Sequence, residues 1–147
     1  CEKETVGSHL SVLLALGHLQ LLLLRKRKLL PLTSIHHRQL IAHYHLLDSV
    51  NQLLEKDYQE PLILESVAHA LGLSKYYFAH KFKQITGMTF MEYLTRFRLN
   101  KARDLLQTRT LNVTDTALHC GFGSLRNFNR AFQHFYNITP SEYLKSL

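Results

Sequence analysis

The chain has 147 residues, of which 46% are hydrophobic, 10% aromatic and 20% charged, and its formal net charge is +7. That apolar content suffices for one compact domain plus an extra segment and argues against disorder, and the positive charge favours an anionic partner, because each phosphate neutralised by Lys or Arg releases counterions. The two cysteines, Cys1 and Cys120, are far apart and form no Cys-x-x-Cys pair, which excludes a disulfide framework and a cysteine zinc site and fits a reducing cytoplasm.

The sequence starts without Met, as expected of a fragment or a processed piece. Residues 9–24 are strongly apolar and end in the basic cluster Arg25, Lys26, Arg27, Lys28. A membrane span needs about 20 apolar residues. This run is shorter, carries His18 and Gln20, and lacks the small-residue cleavage site of a signal peptide. It therefore reads as a leucine-rich helix that is buried or pairs subunits, not as a membrane segment. Pro31 ends it, so residues 1–34 look like the end of an upstream effector or dimerisation domain, or a linker, and residues 35–147 like a domain of their own.

From His37 to Lys56 the spacing of Leu40, Ile41, Tyr44, Leu47 and Leu54 predicts an amphipathic helix, with a break allowed near Asp48. A loop follows to Pro61. Beyond it no stretch alternates apolar and polar residues as a half-buried strand would, so the class is all-α.

The rest of the chain contains one pattern twice. Ala68, Gly72 and Leu73 recur as Ala117, Gly121 and Phe122, 49 positions on; Phe78, Phe82, Thr89, Glu92, Tyr93 and Leu94 recur as Phe128, Phe132, Thr139, Glu142, Tyr143 and Leu144, 50 positions on. Each copy predicts a short helix, a turn in which glycine supplies a positive φ, a second helix capped by Ser74 or Ser124, and a capping box opening the next helix. This is the layout of a helix-turn-helix, which implies a protein that grips DNA twice. The first unit spans about 64–87, a long helix about 89–107, and the second unit about 113–137, with Asn112 as a further cap and Pro140 at the first position of a terminal helix.

On a helical wheel of about 100° per residue, Phe78, Phe82 and Ile85 share one sector of the first unit's second helix, and Phe128, Phe132 and Phe135 share it in the second; these are core positions. The opposite faces present Tyr76, Ala79, His80 and Lys83, with Lys75 and Tyr77 flanking near the helix start, and Arg126, Asn129, Arg130 and Gln133, with Leu125 and Asn127 near the start. Arg can pair bidentately with guanine, Asn with adenine, and an apolar group can meet a thymine methyl. Arg126 and Arg130, one turn apart on the outward face, are the strongest individual candidates for base reading. Ser74, Lys75, Lys83, Ser124 and Gln133 are the expected backbone contacts, with Lys81, Lys101, Arg103 and Arg109 as weaker candidates. The long helix spans about 27 Å at 1.5 Å per residue, which suits two reading helices about 34 Å apart, one turn of B-DNA.

These residues resemble the AraC/XylS family of bacterial transcription regulators over roughly the last 95 residues. The segment VAHALGLSKYYFAHKFKQITGMTFMEYLTRFRLNKARDLL carries the resemblance together with Gly121–Phe122, the run Phe128, Arg130, Phe132 and the ending Thr139, Pro140, Tyr143. The resemblance implies about seven helices, two helix-turn-helix units joined by a long helix, and promoter binding that commonly activates transcription; contact with RNA polymerase is the expected route to regulating initiation. It also implies a separate sensing or dimerisation domain, so a homodimer through the N-terminal segment or an upstream domain is expected. The resemblance implies base reading at Tyr76, Tyr77, Ala79 and His80 in the first unit and at Leu125, Arg126, Asn127, Asn129 and Arg130 in the second. Three positions depart from the pattern: Ile63 leaves a helix start without a side-chain acceptor, Ala79 and His80 replace longer polar groups, and Thr116 stands where an aliphatic residue is usual.

An enzyme is the first rival class, but paired carboxylates, a Ser/His/Asp arrangement and a phosphate-binding glycine loop are all missing from the sequence, and two distant cysteines cannot supply the cluster that a methyl-accepting repair protein needs. His36, His37, His43 and His45 read as ordinary helix residues and not as metal ligands. No cofactor and no metal are expected. The remaining alternative is a protein-interaction or dimerisation module that binds DNA only incidentally.

Overall fold

A computed structural model describes residues 34–147, with side chains described from Arg38 onward. The expected apolar N-terminal helix lies outside the described residues. Within them there are seven helices and no strand: α1 Ser34–Asp57, α2 Leu64–Ala70, α3 Lys75–Thr86, α4 Phe90–Gln107, α5 Val113–His119, α6 Leu125–Tyr136 and α7 Pro140–Ser146. Residues 43–147 form one compact unit, whose boundary falls inside α1 after Ala42.

α1 runs unbroken through Asp48, whose carboxylate accepts from Gln52 Nε2 at 2.9 Å one turn on. Its expected apolar stripe is only half realised. Val50 and Leu54 are buried and Leu47 packs against the same core, whereas Leu40, Ile41 and Tyr44 are exposed. Periodicity marks which residues share a face but not how far along the helix that face is covered.

The two helix-turn-helix units are built by the same local bonds. At the end of α2, Leu73 N donates to Ala68 O at 2.9 Å and Gly72 N to His69 O at 2.9 Å; at the end of α5, Phe122 N donates to Ala117 O and Gly121 N to Leu118 O, both at 3.0 Å. This is the two-bond Schellman closure, and it needs a left-handed residue, supplied by Gly72 at φ 68° and Gly121 at φ 75°. Ser74 and Ser124 then accept from Tyr77 N and Asn127 N. Both α3 and α6 end in a left-handed cap, Gly87 in the first and Asn137 in the second, each donating to the carbonyl four residues back at 2.9 Å. Asn substitutes for Gly there because its short polar side chain tolerates that conformation.

Both capping boxes are formed. Glu92 and Glu142 accept from the backbone N–H of Thr89 and Thr139 at 2.7 Å, and each threonine hydroxyl accepts in return from the glutamate's own N–H. Those bonds hold the two glutamate carboxyls below the usual range, because they favour the ionised form. At the start of α2, Ile63 makes no side-chain cap bond, as its hydrocarbon side chain dictates.

Each unit has its own core. Phe78, Phe82, Phe90 and Leu94 close around Val50, Leu54, Val67 and Ala68 in the first; Phe122, Phe128 and Phe132 close around Leu99, Ala102, Leu106, Ala117 and Cys120 in the second. Ile85 and Phe135, expected inside, are half-buried at the edges. α4 serves both cores: Leu94 faces the first and Leu99, roughly 140° further round at about 100° per residue, faces the second. One rigid helix thus carries a core on either side. Burial pushes the Cys120 thiol up to about 11 despite the nearby Arg98 guanidinium, and Thr116 is buried with its hydroxyl unpartnered, a polar cost at a position that suits an aliphatic side chain.

Candidate nucleic-acid interface

Burying Phe78 and Phe82, or Phe128 and Phe132, turns the opposite face of the same helix outward. On α3 this exposes Tyr76 (85%), Tyr77 (55%), His80 and Lys83, while Ala79 is half-buried. Ala79 therefore offers less surface than the wheel alone suggests. On α6 it exposes Leu125, Arg126, Asn127, Asn129, Arg130 and Gln133. Apart from Ala79, all nine candidate base-reading residues are exposed, and they stand on two helices with the same entry turn.

The charge on these helices has one sign. α3 carries Lys75, Lys81 and Lys83, α6 carries Arg126 and Arg130, and neither contains an Asp or Glu. An anion approaching either helix meets no carboxylate on it, and the helix N-terminus adds partial positive charge. Ser74 and Ser124 use their oxygens as caps, at 3.3 and 3.2 Å, which leaves each hydroxyl proton available for a further acceptor. Lys75 lies 3.6 Å from Glu65, both side chains well exposed; such a surface pair is worth little and can be exchanged for a phosphate. Arg130 Nη2 donates to Asn127 Oδ1 at 3.4 Å, so these two side chains lean together along the helix.

Two of the weaker candidates are engaged elsewhere. Lys101 donates to Glu55 at 2.7 Å and lies over the Phe97 ring, 5.3 Å from its centroid; Arg103 bonds its neighbour Asp104 and lies over Tyr136. Both serve packing between helices. Arg109 is exposed in a left-handed conformation, φ 54°, just after α4.

Sequence reasoning missed the surroundings of α6. A hollow of about 500 Å³ lies beside Asn127 and Arg130 and is lined also by Thr95, Arg98, Gly123 and His134. His134 follows Arg130 by one helical turn, so the wheel could have found it; Thr95 and Arg98 arrive from α4 and could not be placed without the fold. Among the described residues no three His, Cys, Asp or Glu side chains gather as a metal site would require, and no helix is long and apolar enough to cross a membrane.

Residues 67–146, more than half of the chain, match a family profile described as a helix-turn-helix domain. The transcriptional activator RhaS of Enterobacter sp. (strain 638) is 40% identical over 96 residues, covering 63% of this chain and 34% of RhaS; the chain thus corresponds to about a third of that relative's length. A transcriptional regulator with an AraC-type DNA-binding domain from Chromobacterium violaceum superposes with a TM-score of 0.66 at 31% identity, over 71% of this chain and 94% of that one. The DNA-binding domain of the global transcriptional factor AdpA, solved in complex with a target DNA, superposes with a TM-score of 0.64 at 27% identity, over 69% of this chain and 90% of that one. With its paired turns, caps and cores, the chain belongs to the AraC/XylS family of helix-turn-helix DNA-binding transcription regulators.

Proposed function

We propose that residues 35–147 bind a promoter site sequence-specifically, with α3 and α6 entering successive major grooves on one side of the duplex. The observation that carries this is the pairing: two helices of the same build, each with a carboxylate-free polar face turned outward, share one rigid helix, α4. Tyr76, Tyr77, His80 and, with less surface, Ala79 read bases in the first groove. Leu125, Arg126, Asn127, Asn129 and Arg130 read them in the second. Ser74, Lys75, Lys83, Ser124 and Gln133 position the duplex through phosphates. The solved DNA complex of AdpA's domain supports duplex binding by this fold, and the RhaS likeness supports activation as the outcome, with RNA polymerase as the partner at the promoter. We further propose that residues 1–34 are the end of an upstream effector or dimerisation domain, or a linker, with pairing of two chains through that region.

Titrating salt against binding tests this. Promoter reading requires log K to fall by about 0.9 per phosphate neutralised for each unit of log salt, and a selected duplex to be preferred over random DNA by about a thousandfold or more. A flat salt response without sequence preference would favour an interaction module instead.

A further inference from the structure

Besides sharing α4, the two units meet where one side chain grips the loop between them. Arg98, on α4, donates from Nε to Tyr58 O and from Nη2 to Glu60 O, both at 2.7 Å. The loop it grips follows α1 and belongs to the first unit, since Tyr58 and Leu62 pack against that unit's core. The same loop reaches the second unit. Gln59 O occupies the space beside Gly121, where an added Cβ would lie 2.5 Å from it and 3.0 Å from Arg98 Nη2. Gln59 Nε2 also lies 3.3 Å from His119 Nε2, at the end of α5.

Carbonyls 58 and 60, the guanidinium and the turn at Gly121 therefore form one interlock between α4, the first unit's loop and the second unit's turn. The chemistry suits a brace. A guanidinium is planar and presents its donors in a fixed fork, so two bonds from it define an orientation, whereas one ammonium on a flexible stem does not. Burial lowers the Arg98 pKa from its usual value without threatening its charge. Gly121 differs in this from its counterpart Gly72, beside which an added Cβ would meet nothing within 4 Å. Both turns need the left-handed conformation; only the second is also pressed against another backbone.

We propose that Arg98 is a positioning residue for two-groove reading: it fixes the angle and separation of α3 and α6 and itself touches no base. The inference rests on the DNA-reading function proposed above. Two linked modules gain affinity on a bipartite site because the second binds at high effective concentration, and that gain shrinks when the geometry between them loosens.

The test is Arg98→Lys in the full chain, which keeps the charge and removes the fork. On a duplex selected for binding by the unaltered chain, R98K should bind about tenfold more weakly or worse, and on a duplex retaining only one half of that site it should bind within about twofold of the unaltered chain. Inserting one base pair between the halves should harm R98K less than the unaltered chain. In the free protein, spin labels at Gln84→Cys and Gln133→Cys, in a Cys1→Ser background, should show a broader distance distribution with R98K. An unchanged distribution, or an equal loss on the one-half duplex, overturns the proposal; the latter would mean that Arg98 contacts phosphate directly. Failure of R98K to fold also overturns it, because Arg98 would then be holding a core and not bracing two folded units. If no duplex can be selected, the DNA-reading proposal fails, and the label distances still decide whether Arg98 is the brace.

Discussion

Phe128→Ala is expected to melt the second unit while leaving the first folded. Phe128 is fully buried, with its ring 5.1 Å from that of Phe122 and 5.5 Å from that of Phe132. Truncation removes the ring that joins the turn to α6. Large-to-small changes of this kind cost roughly 3 to 5 kcal/mol, a large share of the roughly 5 to 15 kcal/mol that holds a typical domain. The first unit closes around its own rings, Phe78, Phe82 and Phe90, so its amides should keep their hydrogen-exchange protection while those of α5 to α7 lose theirs. DNA affinity should fall to that of a one-half site. A variant with unchanged melting temperature and protection would show that the apolar face of α6 has been misassigned.

The second large effect is expected at the outward face of the same helix. Arg126→Ala and Arg130→Ala should each weaken binding to the selected site by roughly 1 to 3 kcal/mol and relax the preference at one base pair, as the loss of a bidentate guanine contact does. Both side chains are exposed, so thermal stability should stay within about 0.5 kcal/mol, as for surface changes generally. Competition binding against a set of single-base variants of the site measures both quantities. Equal weakening on every sequence, with a smaller salt slope, would make them phosphate contacts instead. Arg130 is the less independent of the two, because it leans on Asn127 and borders the hollow beside α4.

What the sequence revealed was what short-range chemistry decides. The turns at Gly72 and Gly121, the serine caps and the Thr89–Glu92 and Thr139–Glu142 boxes each close within a few residues, so their residue types and spacing specify them. Even the defects were legible: Ile63 cannot cap, and Thr116 buries a hydroxyl. The exposure of Leu40, Ile41 and Tyr44 was not, because an apolar stripe does not say where its covering partner stops. Nor were the roles of Lys101 and Arg98 legible. Their partners lie 46, 40 and 38 positions away, and a basic residue on a helix surface carries no mark that separates a phosphate contact from an internal brace.

The central claim is that one chain reads two neighbouring major grooves. Methylation protection of guanine N7, mapped along a selected duplex at a concentration where one chain binds per site, tests it most directly. Two protected patches on one face are expected, centred about 10 base pairs apart, with the patch over α6 vanishing in Phe128→Ala and losing one guanine in Arg126→Ala or Arg130→Ala. A single patch, or a symmetric pair that appears only when two chains bind, would contradict it.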